Sequence, residues 1–206
     1  MRANACRDGR RLSVETVTLA VIALTLAWVG GTHFFTNAPL FGNGAVEAVV
    51  ERIIIVESGG DSNARNKRSS ATGAGQFLDE TWLEMIRAHR RDLVGSRSQK
   101  EILELRRDPE LTRAIMTRLV AQNAAMLKKR GLPVTPGTLY LSHFAGPAGA
   151  LAVLSVSENA DAASLMASAD ATGRTTREKL VNANPFLKEL TVGDLKNWAN
   201  RKMRSD

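Results

Sequence analysis

Residues 45–60 read AVEAVVERIIIVESGG. Val46, Val49, Val50, Ile53 and Ile54 fall at i, i+3, i+4, i+7 and i+8, the apolar stripe of an amphipathic helix over 45–57. Gly59 and Gly60 end it. Glu57 lies three and four residues after Ile54 and Ile53 and so continues the buried stripe into the last turn. A half-buried carboxyl at the negative end of a helix dipole is disposed to carry a proton, as a general acid requires. A polar loop, DSNARNKRSSATGAGQ, occupies 61–76. Its Gly73-Ala74-Gly75 run before Gln76 lets a bulky ligand approach the backbone, and the glutamine amide can hydrogen-bond a sugar.

Downstream, helix signals follow one another without a strand between them. Asp79 reads as the N-cap of a helix with Trp82, Met85, Ile86 and His89 on one face. Ser98 and Glu101 have capping-box spacing. Asp108-Pro109 starts a long helix with Leu111, Ile115, Leu119 and Met126 inward and Gly131 beyond its end. Thr135-Pro136 starts another, which Gly146-Pro147 breaks before an apolar helix over 148–156. A helix over 157–166, a polar connector to Arg177, a turn at Asn184-Pro185 and a last helix capped by Thr191 and Asp194 complete the chain. Nothing alternates with period 2 for long enough to make a sheet, so the fold class is mainly α. Trp82 and Trp198 sit on helical stripes and read as core anchors, and 184–198 reads as a packing tail.

Upstream, TNAPLFGNG at 36–44 is turn-rich and reads as a linker. Residues 16–35, TVTLAVIALTLAWVGGTHFF, contain no Asp, Glu, Lys or Arg and are long enough to span a bilayer. Arg2, Arg7, Arg10 and Arg11 precede them, which places 1–15 on the cytoplasmic side and exports the remainder. The expectation is an uncleaved signal-anchor, with a cleaved signal peptide as the alternative. The domain is then 45–206.

The 206 residues carry a net charge of +7, and the 28 basic side chains against 21 acidic ones point to an anionic partner. Four arginines against Asp8 and Glu15 lie within 1–38, so the exported part remains cationic at +5. Export makes that partner an envelope polymer or a membrane surface and excludes nucleic acid. The single cysteine, Cys6, excludes an internal disulfide and a cysteine-based zinc cage. His33, His89 and His143 have no metal-ligand spacing, so neither a metal nor another cofactor is expected.

The run Glu57-Ser58-Gly59-Gly60-Asp61-Ser62-Asn63-Ala64, followed by Ser69-Ser70-Ala71-Thr72-Gly73-Ala74-Gly75-Gln76-Phe77, resembles the signature of the soluble lytic transglycosylase domain, a family of the lysozyme-like superfamily. That signature is E-S followed by S-x-A-x-G-L-M-Q. A third family motif, A-Y-N-A-G, aligns with Ser142-His143-Phe144-Ala145-Gly146, so the resemblance spans about 45–155 in the expected order. It implies a lysozyme-like helical domain in which Glu57 is the single acid/base. The bond cut would be the β-1,4 link between N-acetylmuramic acid and N-acetylglucosamine of peptidoglycan, with a 1,6-anhydromuramyl product and no cofactor. Ser58, Ser70, Gly73, Gln76, Phe77, Tyr140 and His143 are the implied substrate-binding set, with Ser58 orienting Glu57 or the substrate's N-acetyl group.

The same resemblance implies the periplasmic face of a bacterial inner membrane, or secretion if the leader is removed. Glycan strands are the partner, and a secretion, conjugation or division apparatus is the setting for such an enzyme held at the membrane. Two departures matter. His143 and Phe144 replace the motif's tyrosine and asparagine, leaving the role either to the hydroxyl of Tyr140 one turn earlier or to His143 itself. Gly75 replaces a methionine and is expected to open the cleft, which would favour water as acceptor and make the chain a hydrolytic muramidase using the same Glu57. Asp61 is the open candidate for a second carboxylate, Asp79 and Glu80 reading as cap and first-turn surface residues. Arg65, Lys67 and Arg68 are placed to meet peptide-stem carboxylates. A non-catalytic peptidoglycan-binding module of an envelope machine is the alternative outside enzymes.

Overall fold

The computed structural model describes residues 43–204; the segments 1–15 and 16–35, and most of the 36–44 linker, lie outside them. Helix α1 (Asn43–Ser58) buries Val49, Val50, Ile53 and Ile54, the stripe that the spacing predicts. Full burial of one such side chain stabilises by about 2 kcal/mol. The stripe packs on α5 (Pro109–Lys129), the longest helix, whose inner face carries Leu111, Ile115, Met116, Leu119 and Leu127. Helix α2 (Asp79–His89) also lies against α5 and brings Trp82 into the core with no exposed surface. The indole Nε1 of Trp82 donates to the carbonyl of Ile102 at 2.7 Å, so the ring is buried without an orphan donor. Ile102 sits on α4 (Gln99–Glu104), beyond the short α3 (Arg91–Val94).

Helix α6 (Pro136–Leu154) is the second axis of the molecule, contacting α5, α7 (Ala162–Ser168) and α9 (Val192–Lys202). It is two helices in sequence terms. Gly146 has φ 69° and ψ 167°, a conformation glycine tolerates, and Pro147 restarts the helix at a new angle. Between α7 and α9 lie α8 (Arg177–Ala183) and a 3₁₀ turn, Pro185–Glu189. The described residues hold isolated bridges, such as Arg65 with Thr72 and Thr72 with Phe77, and no strand. The domain is mainly α-helical. Among the described residues no helix is long and apolar enough to cross a membrane.

The local start signals operate as their chemistry dictates. Ser98 and Glu101 form a reciprocal capping box, as do Thr135 with Thr138 and Thr191 with Asp194, and Asp108 accepts from the amides of Glu110 and Leu111. Asp79 is a correction. It is the first residue of α2 rather than its cap, and its carboxylate is 2.6 Å from the guanidinium of Arg106. The helix expected over 157–166 is another. Residues 157–161 form a turn, and α7 begins only after Asp161, which accepts from the amide of Ser164 and pairs with Arg177. The Arg177 hydrogen bond, with help from Ser164, pulls the Asp161 carboxyl down to about 2. The connector before Asn184 contains α8, whose polar sequence carries little periodicity.

Candidate active site

Glu57 emerges in the last turn of α1 with its side chain 19% exposed. The next residue fixes that helix end. Ser58 Oγ donates to the carbonyl of Ala74 at 2.8 Å, lies 3.3 Å from the carbonyl of Ile54, and accepts from the amide of Gly60 at 3.1 Å. One hydroxyl thus joins the end of α1 to the Gly73-Ala74-Gly75-Gln76 run. Gly59 and Gly60, at φ 66° and 86°, turn the chain away.

The loop is held from beneath by Arg106. Its guanidinium donates to the carbonyls of Ser70, Phe77 and Leu103 at 2.9, 3.0 and 2.9 Å, besides pairing with Asp79. Gly73 packs on the same residue, where a Cβ would stand 2.0 Å from the Arg106 carbonyl oxygen. Gln76 takes a left-handed φ of 46°, and its Nε2 donates to the carbonyl of Gly73 at 2.8 Å. The strained backbone is therefore anchored by its own side chain.

Above this floor is a cleft of about 420 Å³ lined by Glu57, Gln76, Phe77, Tyr140 and His143, with Phe144, Phe186 and Trp198. His143 Nε2 lies 3.6 Å from Glu57 Oε1, and the imidazole is 9% exposed. Its Nδ1 is buried with no hydrogen-bond partner. A buried lone pair costs less than a buried unpaired N–H, so the proton belongs on Nε2, toward Glu57. Burial pushes the imidazole below its ordinary value, opposed in part by the charge of Glu57. The neutral Nε2–H form is the one the site holds.

Tyr140 is buried, and its hydroxyl also faces Glu57. Burial first, then the Glu57 charge and a hydrogen bond to it, raise the phenol far above its usual range, so it stays a donor. Phe77 meets His143 edge-on at 6.1 Å, and Tyr140 stacks on it at 6.4 Å. Two neutral donors thus flank one carboxyl group.

The resemblance-implied residues divide into two sets. Glu57, Gln76, Phe77, Tyr140 and His143 come together in the cleft. Ser58, Ser70 and Gly73 build its support instead. Ser70 Oγ accepts from the amide of Asp79, and the neighbouring Ser69 lines the cleft. Asp61 turns back on the amide of Asn63, and Glu80 pairs with Arg174. Neither lines the cleft, and among the described residues Glu57 is its one carboxylate.

Gly75 does not open the wall. A Cβ there would lie 2.9 Å from Met116 Cε and 3.0 Å from the Phe77 ring, so a side chain from α5 fills that space. Arg65, Lys67 and Arg68 are exposed and do not line the cleft, whereas Lys202 does.

Trp198 and residues 184–186, read from sequence as packing, form part of the wall. Trp198 does pack on the core, but its ring also stacks with Phe186 at 4.9 Å and 27° and meets the edge of Phe144 at 4.9 Å. Phe186, directly after the Asn184-Pro185 turn in that tail, was the available signal. A second depression of about 640 Å³ shares Leu78, Thr81, His143, Phe144 and Leu180 with the first, so the groove continues past His143. Its rim carries Glu80, Glu84 and Asp170. No model of a known protein family matches the chain.

The arrangement suits proton transfer to and from a bound ligand of several rings. It supplies one carboxyl, two neutral donors that orient it, an apolar aromatic wall and a groove longer than one ring.

Proposed function

We propose that this chain is a lysozyme-like lytic transglycosylase of peptidoglycan, held at the periplasmic face of a bacterial inner membrane by residues 16–35. The observation that carries the reading is Glu57 as the single carboxylate lining an aromatic cleft among the described residues, in register with the family's motif order. Glu57 in its acid form donates its proton to the glycosidic oxygen between N-acetylmuramic acid and N-acetylglucosamine, and the C1–O bond breaks. The muramyl N-acetyl oxygen closes on C1 and holds the positive charge, which removes the need for a second carboxylate. Glu57, now ionised, takes the proton of the muramyl C6 hydroxyl. That oxygen attacks C1, the N-acetyl group is released, and the 1,6-anhydro ring forms with Glu57 reprotonated and no water consumed.

The Tyr140 hydroxyl donates to Glu57 and the His143 imidazole stands 3.6 Å from it, which holds the carboxyl at the cleft. Met116 closes the space at Gly75, which removes the reason for expecting water as acceptor there. Local opening of the wall beside a secretion, conjugation or division apparatus is the physiological setting of this reading.

The test compares the full chain in detergent micelles with Glu57→Gln on purified sacculi. The native chain should release soluble muropeptides, and the variant should lose at least about 10³-fold of that rate while still sedimenting with sacculi. Equal release by the variant would overturn the role of Glu57. Sedimentation with no release by the native chain would make it a binding module.

A further inference from the structure

Residues 184–202 place Asn184, two aromatic rings and one ammonium group in the cleft of Glu57. The rings and the ammonium are those of Phe186, Trp198 and Lys202. Phe186 leaves 39% of its surface exposed while its ring stacks on Trp198, which in turn tilts against Tyr140 at 5.3 Å. Packing aromatics normally bury their faces, so this pair presents an apolar shelf inside a site. Lys202 is exposed and forms no ion pair among the described residues. With His143 neutral, Lys202 is the one positive charge lining the cleft among those residues. The position of Lys202 is not incidental. Arg52 Nε donates to its backbone carbonyl at 2.9 Å, tying the end of α9 to the helix that carries Glu57.

A ring-sized apolar shelf beside an unpartnered ammonium fits a ligand that combines a pyranose face with a carboxylate. A neutral aminosugar offers the first feature only. We propose that Phe186, Trp198 and Lys202 form a subsite for a carboxylate-bearing aminosugar, the shelf taking the ring and Lys202 the acid. The inference rests on the peptidoglycan reading above and adds to it the group that selects acidic strands over neutral ones. In peptidoglycan the carboxylate comes either from the lactyl ether of muramic acid or from the peptide stem.

The experiment uses the full chain in micelles with Glu57→Gln to prevent turnover, and measures affinity by calorimetry. Three probes separate the sources: chitotetraose, a stem-bearing muramyl tetrasaccharide, and the same tetrasaccharide after amidase treatment, which leaves only lactyl carboxylates. Adding Lys202→Gln should weaken the acidic probes about five-fold, the worth of one exposed ion pair, and leave chitotetraose unchanged. Loss confined to the stem-bearing probe assigns the contact to the stem, loss confined to the amidase-treated probe assigns it to the lactyl carboxylate that the amidase frees, and loss with both means that Lys202 takes either acid. Phe186→Ala should weaken all three probes alike, and far-ultraviolet circular dichroism checks that each variant is folded. Binding of all three probes without sensitivity to Lys202→Gln would overturn the subsite while leaving the peptidoglycan reading in place. Absence of binding by every probe, together with absence of release from sacculi by the native chain, would overturn both.

Discussion

The two walls of the cleft are built by different forces. The wall made by the end of α1 and residues 59–78 is held by hydrogen bonds from side chains to backbone. Ser58 binds Ala74, Gln76 binds Gly73, and Arg106 binds three carbonyls. The wall made by residues 180–202 is held by ring contacts among Phe144, Phe186 and Trp198. Directional bonds fix positions to fractions of an ångström, which a proton donor needs. Ring stacking tolerates sliding, which would suit the proposed surface for successive sugars. The comparison teaches that chemistry and grip have been given to separate parts of the chain.

That division can be broken from either side. The largest effect is expected for Gly73→Ala, because its Cβ would meet the Arg106 carbonyl at 2.0 Å in a left-handed backbone conformation. A loss of about 3 kcal/mol or more in denaturant unfolding should result, with cleavage abolished. Next comes Arg106→Met, which leaves the carbonyls of Ser70 and Phe77 with the Thr72 hydroxyl and amide as donors and leaves Asp79 without its ion-pair partner. Chemical denaturation should show about 2–3 kcal/mol lost. Ser58→Ala should cost about 1 kcal/mol and slow kcat with little change in KM, since it loosens the end of α1. On the other wall, Trp198→Phe should do the reverse, raising KM about three-fold at unchanged kcat and stability within about 1 kcal/mol.

The pH dependence sharpens the comparison further, because it belongs to His143 on α6, which faces Glu57 across from the hydrogen-bonded wall. Burial lowers the His143 imidazole in the folded chain, so the unfolded chain binds its proton more readily. The stability this contributes is present above the ordinary imidazole value near 6.5 and is lost as pH falls toward the lower folded value. Denaturation of the native chain against His143→Phe across pH 5 to 8 should show the variant less acid-sensitive in that window. His89, also lowered by burial and then by Arg118, remains in both proteins and cancels in the difference. Parallel curves would mean that His143 is not the buried neutral group described.

Features decided within a few residues were legible in the sequence. The α1 stripe, the capping boxes at Ser98, Thr135 and Thr191 and the break at Gly146-Pro147 depend only on neighbours along the chain. Glu57 could be nominated because it continues the α1 stripe, whereas Tyr140 and His143 enter through the resemblance to the family's motif. What escaped was decided between distant residues. Asp79 has the chemistry of a cap, but Arg106, 27 residues later, takes its carboxylate. Gly75 reads as space until Met116 arrives from α5 to fill it. Periodicity identified Trp198 as facing inward, but it does not distinguish a core from a cleft. Residues 157–161 have helix-compatible composition, and the turn forms because Asp161 is held by Arg177.

The central claim is that one carboxyl group performs both proton transfers and that the acceptor is the sugar's own hydroxyl. Digestion of sacculi by the full chain in water enriched in oxygen-18, followed by mass spectrometry of the released muropeptides, tests it most directly. The account predicts 1,6-anhydromuramyl ends, one water lighter than reducing sugars and free of the label. Reducing ends carrying one oxygen-18 atom would contradict it and establish water as the acceptor.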